Sequence, residues 1–367
     1  MSGKQIRKCI LLLCFLLMCF SCGSNVFAAT VARIGSRSYS SLQSAVNAAK
    51  NGQTIKVTRP ISTKKMLTIS GKKSITIDFG NNKYSMTNSD SYAIDVNVTK
   101  LTIKNAKINS ARGAIFVEKK SKAVITNGSI TGITYNEGTL EVKNGKFEGR
   151  GYNQSGELEM PAFDNFGTIT IYNATVKGSG RDALWNIGKA YIYNGTFSTT
   201  KSDCIYNDEN GIMKISGGSF NHTIKDDYSY LIGNYGEMII SKGSFKGYIR
   251  NESNKRMVIN GGTFRGHQGW LVLRNVKGNV SITGGSFSTT RNNVLYNNAG
   301  ATFTISGGGF TTKNENDFPA LYSEGTISVT GGTFKLNGKL SKSICVTSNS
   351  YWYITSNVQY GFVKKEV

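Results

Sequence analysis

"KISGGSF", Lys214 to Phe220, recurs along this chain. "VINGGTF" ends at Phe264, "SITGGSF" at Phe287, "TISGGGF" at Phe310 and "SVTGGTF" at Phe334. Looser copies end at Phe147, Phe197 and Phe245, and still looser ones at Ile108, Ile130 and Val176. These eleven end points span 226 residues in ten intervals, a mean of 22.6. Self-similarity at such a period marks a solenoid, a propeller or an array of small units. The unit alternates apolar and polar residues, as in Met213-Lys-Ile215 and Ile327-Ser-Val329, and has no helical period. That excludes helical repeats, and propeller blades need about 40–50 residues. A β-solenoid with one repeat per turn remains.

A second anchor lies between the first ones. "ALWN" ends at Asn186, "CIYN" at Asn207, "VLYN" at Asn297 and "ALYS" at Ser323, with counterparts at Asn136, Asn165, Asn234, Asn251 and Asn275. From each of these to the following Phe or Val anchor the distance is 11–13 residues, whereas from that anchor to the next Asn it is 6–18. One arc of every coil is therefore fixed framework, and the other tolerates insertions. The Gly-Gly pair is expected at a corner where a Cβ would clash. The Phe is expected to stack inward on the Phe of the next coil, and the Asn residues to form an inward amide ladder at a corner where positive φ is tolerated. A phosphate loop needs a following helix, and the calcium-binding nonapeptide needs Asp after its glycines; neither is written here.

With the ladder, the apolar stacks and the period, the chain resembles the right-handed, single-stranded parallel β-helices of the pectate-lyase-like class, of the bacterial secreted or surface type, over residues 55–360. The expected organisation is a secretion signal at 1–28, a cap at 29–54 and an all-β solenoid of about thirteen coils at 55–367. In the cap, "SSLQSAVNAAKNG" reads as a short amphipathic helix with Leu42, Ala45, Val46 and Ala49 on one face and a Ser40/Gln43 capping box. Such a helix would close the open end of the first coil.

Composition agrees with export. Lys4, Arg7 and Lys8 precede an apolar run, Cys9 to Phe20, too short to span a bilayer. Cleavage is expected after Ala28, with lipid attachment at Cys22 as the alternative. Residues 1–28 hold three basic and no acidic residues, so removing them takes the formal charge from +22 to +19. Such charge points to polyanionic partners, here a polysaccharide or an anionic cell-wall polymer rather than nucleic acid. No later run is long enough to cross a membrane, and a monomer is expected. Only Cys204 and Cys345 lie beyond the signal, six coils apart, so no disulfide is expected. Two histidines, His222 and His267, leave little for a zinc site or a triad.

Enzymes with this architecture cleave polysaccharides, so the resemblance implies a lyase or hydrolase acting on an acidic glycan. Asp182, Asp203 and Asp227, beside Arg181, precede successive strands and are the fallback catalytic candidates, with Ca²⁺ as cofactor only in that case. Polygalacturonase-type motifs occur only as fragments: Asn207-Asp208, Asp226-Asp227, Gly266-His267-Gln268 and Arg274 with Lys277. The phase of the strands offers another site. If each ladder Asn points inward, the residue before it points outward. That column includes Tyr135, Trp185, Tyr206, Arg250, Arg274, Tyr296 and Tyr322, a set suited to sugar rings. The expected function is noncatalytic glycan binding without a resident cofactor; an adhesive or structural surface protein is the third reading.

Overall fold

A computed structural model describes residues 29–150, 160–200, 202–222, 229–340 and 342–365. The chain winds as a parallel β-solenoid of about twelve turns, close to the expected thirteen. A typical turn has three short strands: Leu184–Asn186, Lys189–Ile192 and Thr196–Thr199. The next turn opens at Ile205–Asn207, which pairs in parallel with the first strand, Leu184 opposite Ile205 and Asn186 opposite Asn207. Stacking the turns makes three parallel sheets, each a column of strands.

The two glycines of the repeat serve different ends. Gly218, Gly262, Gly285, Gly308 and Gly332 hold φ between +106° and +114°, a region that side chains disfavour. Their predecessors have ordinary φ but lie against the coil below: a Cβ on Gly217 would come within 2.6 Å of the Tyr193 carbonyl, and one on Gly331 within 2.3 Å of that of Ser306. The corner thus needs one residue without a Cβ for its backbone conformation and one for close approach. The following Phe turns inward as expected. Phe197, Phe220, Phe245, Phe264, Phe287, Phe310 and Phe334 form one column of stacked rings with centroids 4.4–4.9 Å apart. Val176 interrupts the column below, and Phe147 leans on Phe163 instead.

The asparagine ladder runs from Asn136 to Asn297 and ends on Ser323, with each side chain fully buried. Each Nδ2 donates to the Oδ1 of the coil above at 2.7–3.2 Å, and the last donates to Ser323 Oγ. The same nitrogens also donate to backbone carbonyls at the turn, as Asn165 does to Gly167 and Lys189. None of the ladder residues has positive φ, which corrects that part of the expectation. Asn is there for its amide, which accepts from below and donates above. At the lower end the position in the preceding coil is Val117, and Asn136 Oδ1 has no donor.

The residue three before the ladder position is also apolar and buried in several coils, as Ala183, Cys204 and Val272 are. The backbone bends there. Ala183 and Leu184 both donate to the Cys204 carbonyl, so two successive residues face the core.

At the amino end, Leu42–Ala48 is helical with Leu42, Ala45 and Val46 buried against the solenoid. Its N-cap is Ser41, which accepts from Ser44 N, and not Ser40. Gln43 is used elsewhere, since its side chain bonds both N–H and C=O of Thr68 in the solenoid wall. An antiparallel hairpin, Ala32–Ile34 with Arg37–Tyr39, lies alongside Thr54–Val57. Cys204 and Cys345 are free and buried, six rungs apart by register, as the spacing predicts.

Candidate functional site: an aromatic and acidic strip

The outward column exists in register. Asp95, Phe116, Tyr135, Asp164, Trp185 and Tyr206 follow one another on adjacent strands, and then Gly233, Arg250, Arg274, Tyr296 and Tyr322. All seven expected ligand-binding residues therefore lie on one face, each half-buried. Phe116 belongs with them but escaped notice, because the ladder position beside it is Val117 and carries no Asn signal. A second row also escaped notice. It is formed by the residues directly after the ladder, among them Glu118, Glu137, Phe166, Asp208, Tyr235, Glu252 and Glu324. A fixed offset of one from each Asn would have found it.

The two rows interlock. Tyr92, Phe116, Tyr135 and Phe166 make a chain of ring contacts at 5.0–5.4 Å, and Trp185, Tyr206 and Tyr235 make another at 5.1–5.2 Å. Most of these rings are tilted or edge-on and half-buried, so they lean on one another rather than lying open; Phe166 is the exposed one. Tyrosine hydroxyls meet carboxylates across the rows: Tyr296 donates to Glu324 at 2.7 Å and Tyr235 to Glu252 at 3.5 Å. Burial first, and then Glu137 and Asp164, push the Tyr135 phenol up to about 12. That phenol stays a hydrogen-bond donor at neutral pH.

The arginines are engaged with the face itself. Arg181 stacks over the Trp185 ring at 3.4 Å and pairs with Asp182 at 3.3 Å. Arg250 pairs with Glu252 at 2.5 Å and donates to the Tyr230 hydroxyl. Arg274 donates to Asn298 and lies over Tyr296. Across the two rows, Asp95, Asp164, Glu118, Glu137, Asp208, Glu252 and Glu324 face Arg250, Arg274 and, on the last rung, Lys365, a formal charge of 3 − 7 = −4 on a chain of +22. One lysine, Lys365, closes the second row beyond Thr347; others lie in turns and on the other two sheets, as Lys214, Lys246 and Lys335 do.

Asp182 and Asp203 are buried at the entrances of adjacent strands. Asp182 accepts from Ser202, and Asp203 accepts from the backbone N–H of Tyr230. Tyr230 holds the equivalent place in the next coil. Asp226 and Asp227 lie outside the described residues, as do the signal at 1–28 with Cys22 and the centres of both long loops, 151–159 and 223–228. Gly233 interrupts the aromatic column because the Asp203 carboxylate lies over it; a Cβ there would come within 2.5 Å of Oδ2. His267 precedes the strand of Arg274, three rungs beyond that of Asp203, so the polygalacturonase-like fragments do not converge. Among the described residues no cluster of three His, Cys, Asp or Glu is placed to hold a metal, and no helix is long and apolar enough to cross a membrane.

One acid stands apart. Asp164 is flanked by Tyr135 and Trp185 on the neighbouring strands. Burial pushes its carboxyl up to about 6; Arg181 pulls against that shift and Asp182 adds to it. The fold and this strip define a parallel β-solenoid with one aromatic, acid-bearing face. No family model matches the chain, and neither a curated protein nor a solved structure matches it.

Proposed function

We propose that this is a secreted or cell-surface β-helix protein, pectate-lyase-like in architecture, that binds an extended polysaccharide along the strip without cutting it. The observation that carries the reading is the two-row face itself: aromatic rings and hydrogen-bonding carboxylates in register, with a single lysine on its last rung, on an otherwise basic solenoid. Sugar rings pack their C–H faces on aromatic side chains and hydrogen-bond through hydroxyls to carboxylates and amides. Strands repeat at ~4.8 Å, so groups two or more coils apart match successive sugars of a long chain. The lysines of the other two sheets give the molecule a separate attraction to an anionic cell-wall polymer.

A polysaccharide-cleaving enzyme is the second reading, and Asp164 favours it, since a carboxyl titrating near 6 suits a general acid. Against it stands the arginine set, paired with carboxylates, amides and rings of the strip itself. The test is a glycan-array screen of the chain from Ala29, followed by incubation of each bound glycan with assays for new reducing ends and for ultraviolet-absorbing unsaturated products. Retention without either product is expected, and Phe166→Ala with Tyr206→Leu should weaken it at least tenfold. Product release that Asp164→Asn abolishes would establish the enzyme instead.

A further inference from the structure

The corner between the second and third strands of each coil is another exposed surface, apart from the strip. Four-residue corners stack in register there: KNAK at 104–107, TNGS at 126–129, KNGK at 143–146, YNAT at 172–175 and YNGT at 193–196. SGGS at 216–219 and SKGS at 241–244 follow, and the series runs on to TGGT at 330–333. None of these described corners contains Asp or Glu, whereas Lys104, Lys107, Lys143, Lys146 and Lys242 all belong to them and are exposed. Lys83, exposed too, lies directly opposite Lys107 on the strand below. Asp78, one rung below Lys104, accepts from Gly80 N and from the Asn105 amide. Like charges opposite one another on neighbouring strands repel, and a polyanion laid along them removes that repulsion.

Above these lysines the corner turns aromatic. Lys143, paired with Glu141 at 3.1 Å, sets its Nζ 3.5 Å from the centre of the Tyr172 ring. Tyr193 stacks on Tyr172 with centroids 5.3 Å apart and planes within 8°. Both rings are open to solvent, Tyr172 at 40% and Tyr193 at 52%. The stack ends at Tyr193, because the same place in the next two coils is Ser216 and then Ser241. The outer face of Tyr193 thus stands over a step of small hydroxyl residues. A ring face beside hydroxyls and amides is a platform for the C–H face of a sugar. Lysines lie along the axis on both sides of it: 104–107 is two rungs below 143–146, about 10 Å at ~4.8 Å per rung, and Lys242 is two rungs above Tyr193. We infer that this corner is a second glycan site and takes an acidic polysaccharide, one sugar ring packing on Tyr193 while Lys83, Lys104, Lys107, Lys146 and Lys242 receive carboxylates of its neighbours. This goes beyond the reading of the strip and does not depend on it. A nucleic-acid strand fits less well, since two tyrosines closed on each other leave one free face where successive bases need a series.

Affinity electrophoresis tests it, with the chain from Ala29 run through gels containing polygalacturonate or neutral mixed-linkage β-glucan at low and high salt. Tyr193→Ser copies the residue that the next coil carries at this place, so the fold already accepts it. It should weaken polygalacturonate retention about tenfold at either salt. Lys107→Gln with Lys146→Gln should weaken it about tenfold at low salt and flatten its salt dependence. Lys335→Gln with Lys339→Gln removes the same charge near the other end of the solenoid and should change it less than about twofold. Circular dichroism confirms that each variant is folded. The inference is overturned if polygalacturonate is not retained, if Tyr193→Ser binds it as the parent does, if the two lysine pairs act equally, or if single-stranded DNA of matched charge displaces it more readily than free polygalacturonate does. Should Phe166→Ala with Tyr206→Leu abolish polygalacturonate retention while the corner variants do not, the polymer belongs to the strip, and the inference falls while the strip reading stands. Should that strip pair alter retention by no polymer while the corner variants do, the strip reading falls and the inference stands.

Discussion

Asn207 sits in the middle of the amide ladder, fully buried, and its removal has a consequence that can be worked bond by bond. Its Nδ2 donates to Asn234 Oδ1 at 2.8 Å and to the Glu237 carbonyl at 3.0 Å, while its Oδ1 accepts from Asn186 at 2.8 Å. Asn207→Ala deletes these three bonds, each worth ~1 kcal/mol net, together with a long one to the Gly211 carbonyl at 3.5 Å, and strands Asn234 Oδ1 in the core at a further ~1–3 kcal/mol. Asn186 Nδ2 keeps the Gly188 carbonyl at 3.1 Å, so that end is not orphaned. The expected loss is ~4–6 kcal/mol. Asn207→Ser should cost less, because Ser323 already plays the part at the top of the ladder, accepting from Asn297 and donating to the Gly325 carbonyl. Asn207→Asp should be the worst of the three, since a carboxylate cannot donate upward and brings a buried charge. Guanidinium unfolding followed by far-ultraviolet circular dichroism gives the order, with limited proteolysis showing whether the damage stays near the altered coil, as nearest-neighbour coupling in repeat proteins requires. An alanine variant within ~0.5 kcal/mol of the parent, or a serine variant less stable than alanine, would refute the reasoning that the ladder acts through donated amide bonds.

The two repeat glycines should respond to alanine for separate reasons: Gly217→Ala through collision with the Tyr193 carbonyl at 2.6 Å, and Gly218→Ala through its φ of +106°. Each should lower stability by ~1–3 kcal/mol, whereas Gly300→Asn, at φ +78° with open space around it, should be nearly neutral in the same unfolding assay. The folded pKa of Asp164 near 6 lies above its unfolded value, so the folded state holds the proton more tightly. That stabilisation is present at low pH and is lost as pH rises from about 4 through 6. Asp164→Asn should therefore gain on the order of 2 kcal/mol relative to the parent at pH 7 and little at pH 4, read from unfolding midpoints at both values. Burial pushes both the Cys204 and Cys345 thiols up. The chain from Ala29 should give no rapid reaction with a thiol reagent at pH 8 when native and two equivalents after denaturation; one disulfide per monomer would break the coil register.

The sequence by itself determined the solenoid, because the solenoid is one local rule applied many times. Apolar alternation, a glycine pair and an asparagine at fixed offsets each satisfy a need that every turn repeats, so register and inward phase could be read without coordinates. The outward column was legible for the same reason, as the complement of an inward one. Partners were a different matter. Two glycines written alike answer to different constraints, one to φ and one to a carbonyl in the coil below, and only the stack brings that carbonyl near. Ser41 rather than Ser40 caps the helix, and Gln43 closes no capping box but is engaged with Thr68, a residue 25 positions away. The net positive charge suggested an acidic ligand for the aromatic column. The fold instead gathers seven carboxylates there and places lysines such as Lys214, Lys246 and Lys335 on the other sheets, a separation invisible in a sum over the chain. Asp182 and Asp203 looked like the start of a carboxylate row, yet Tyr230 takes the next place, and Asp164, which the sequence shows only as one outward residue among many, is the acid that burial perturbs to about 6. Periodicity fixes which way a side chain points; its charge state and hydrogen bonds depend on what two neighbouring coils bring beside it, and that is decided only in three dimensions.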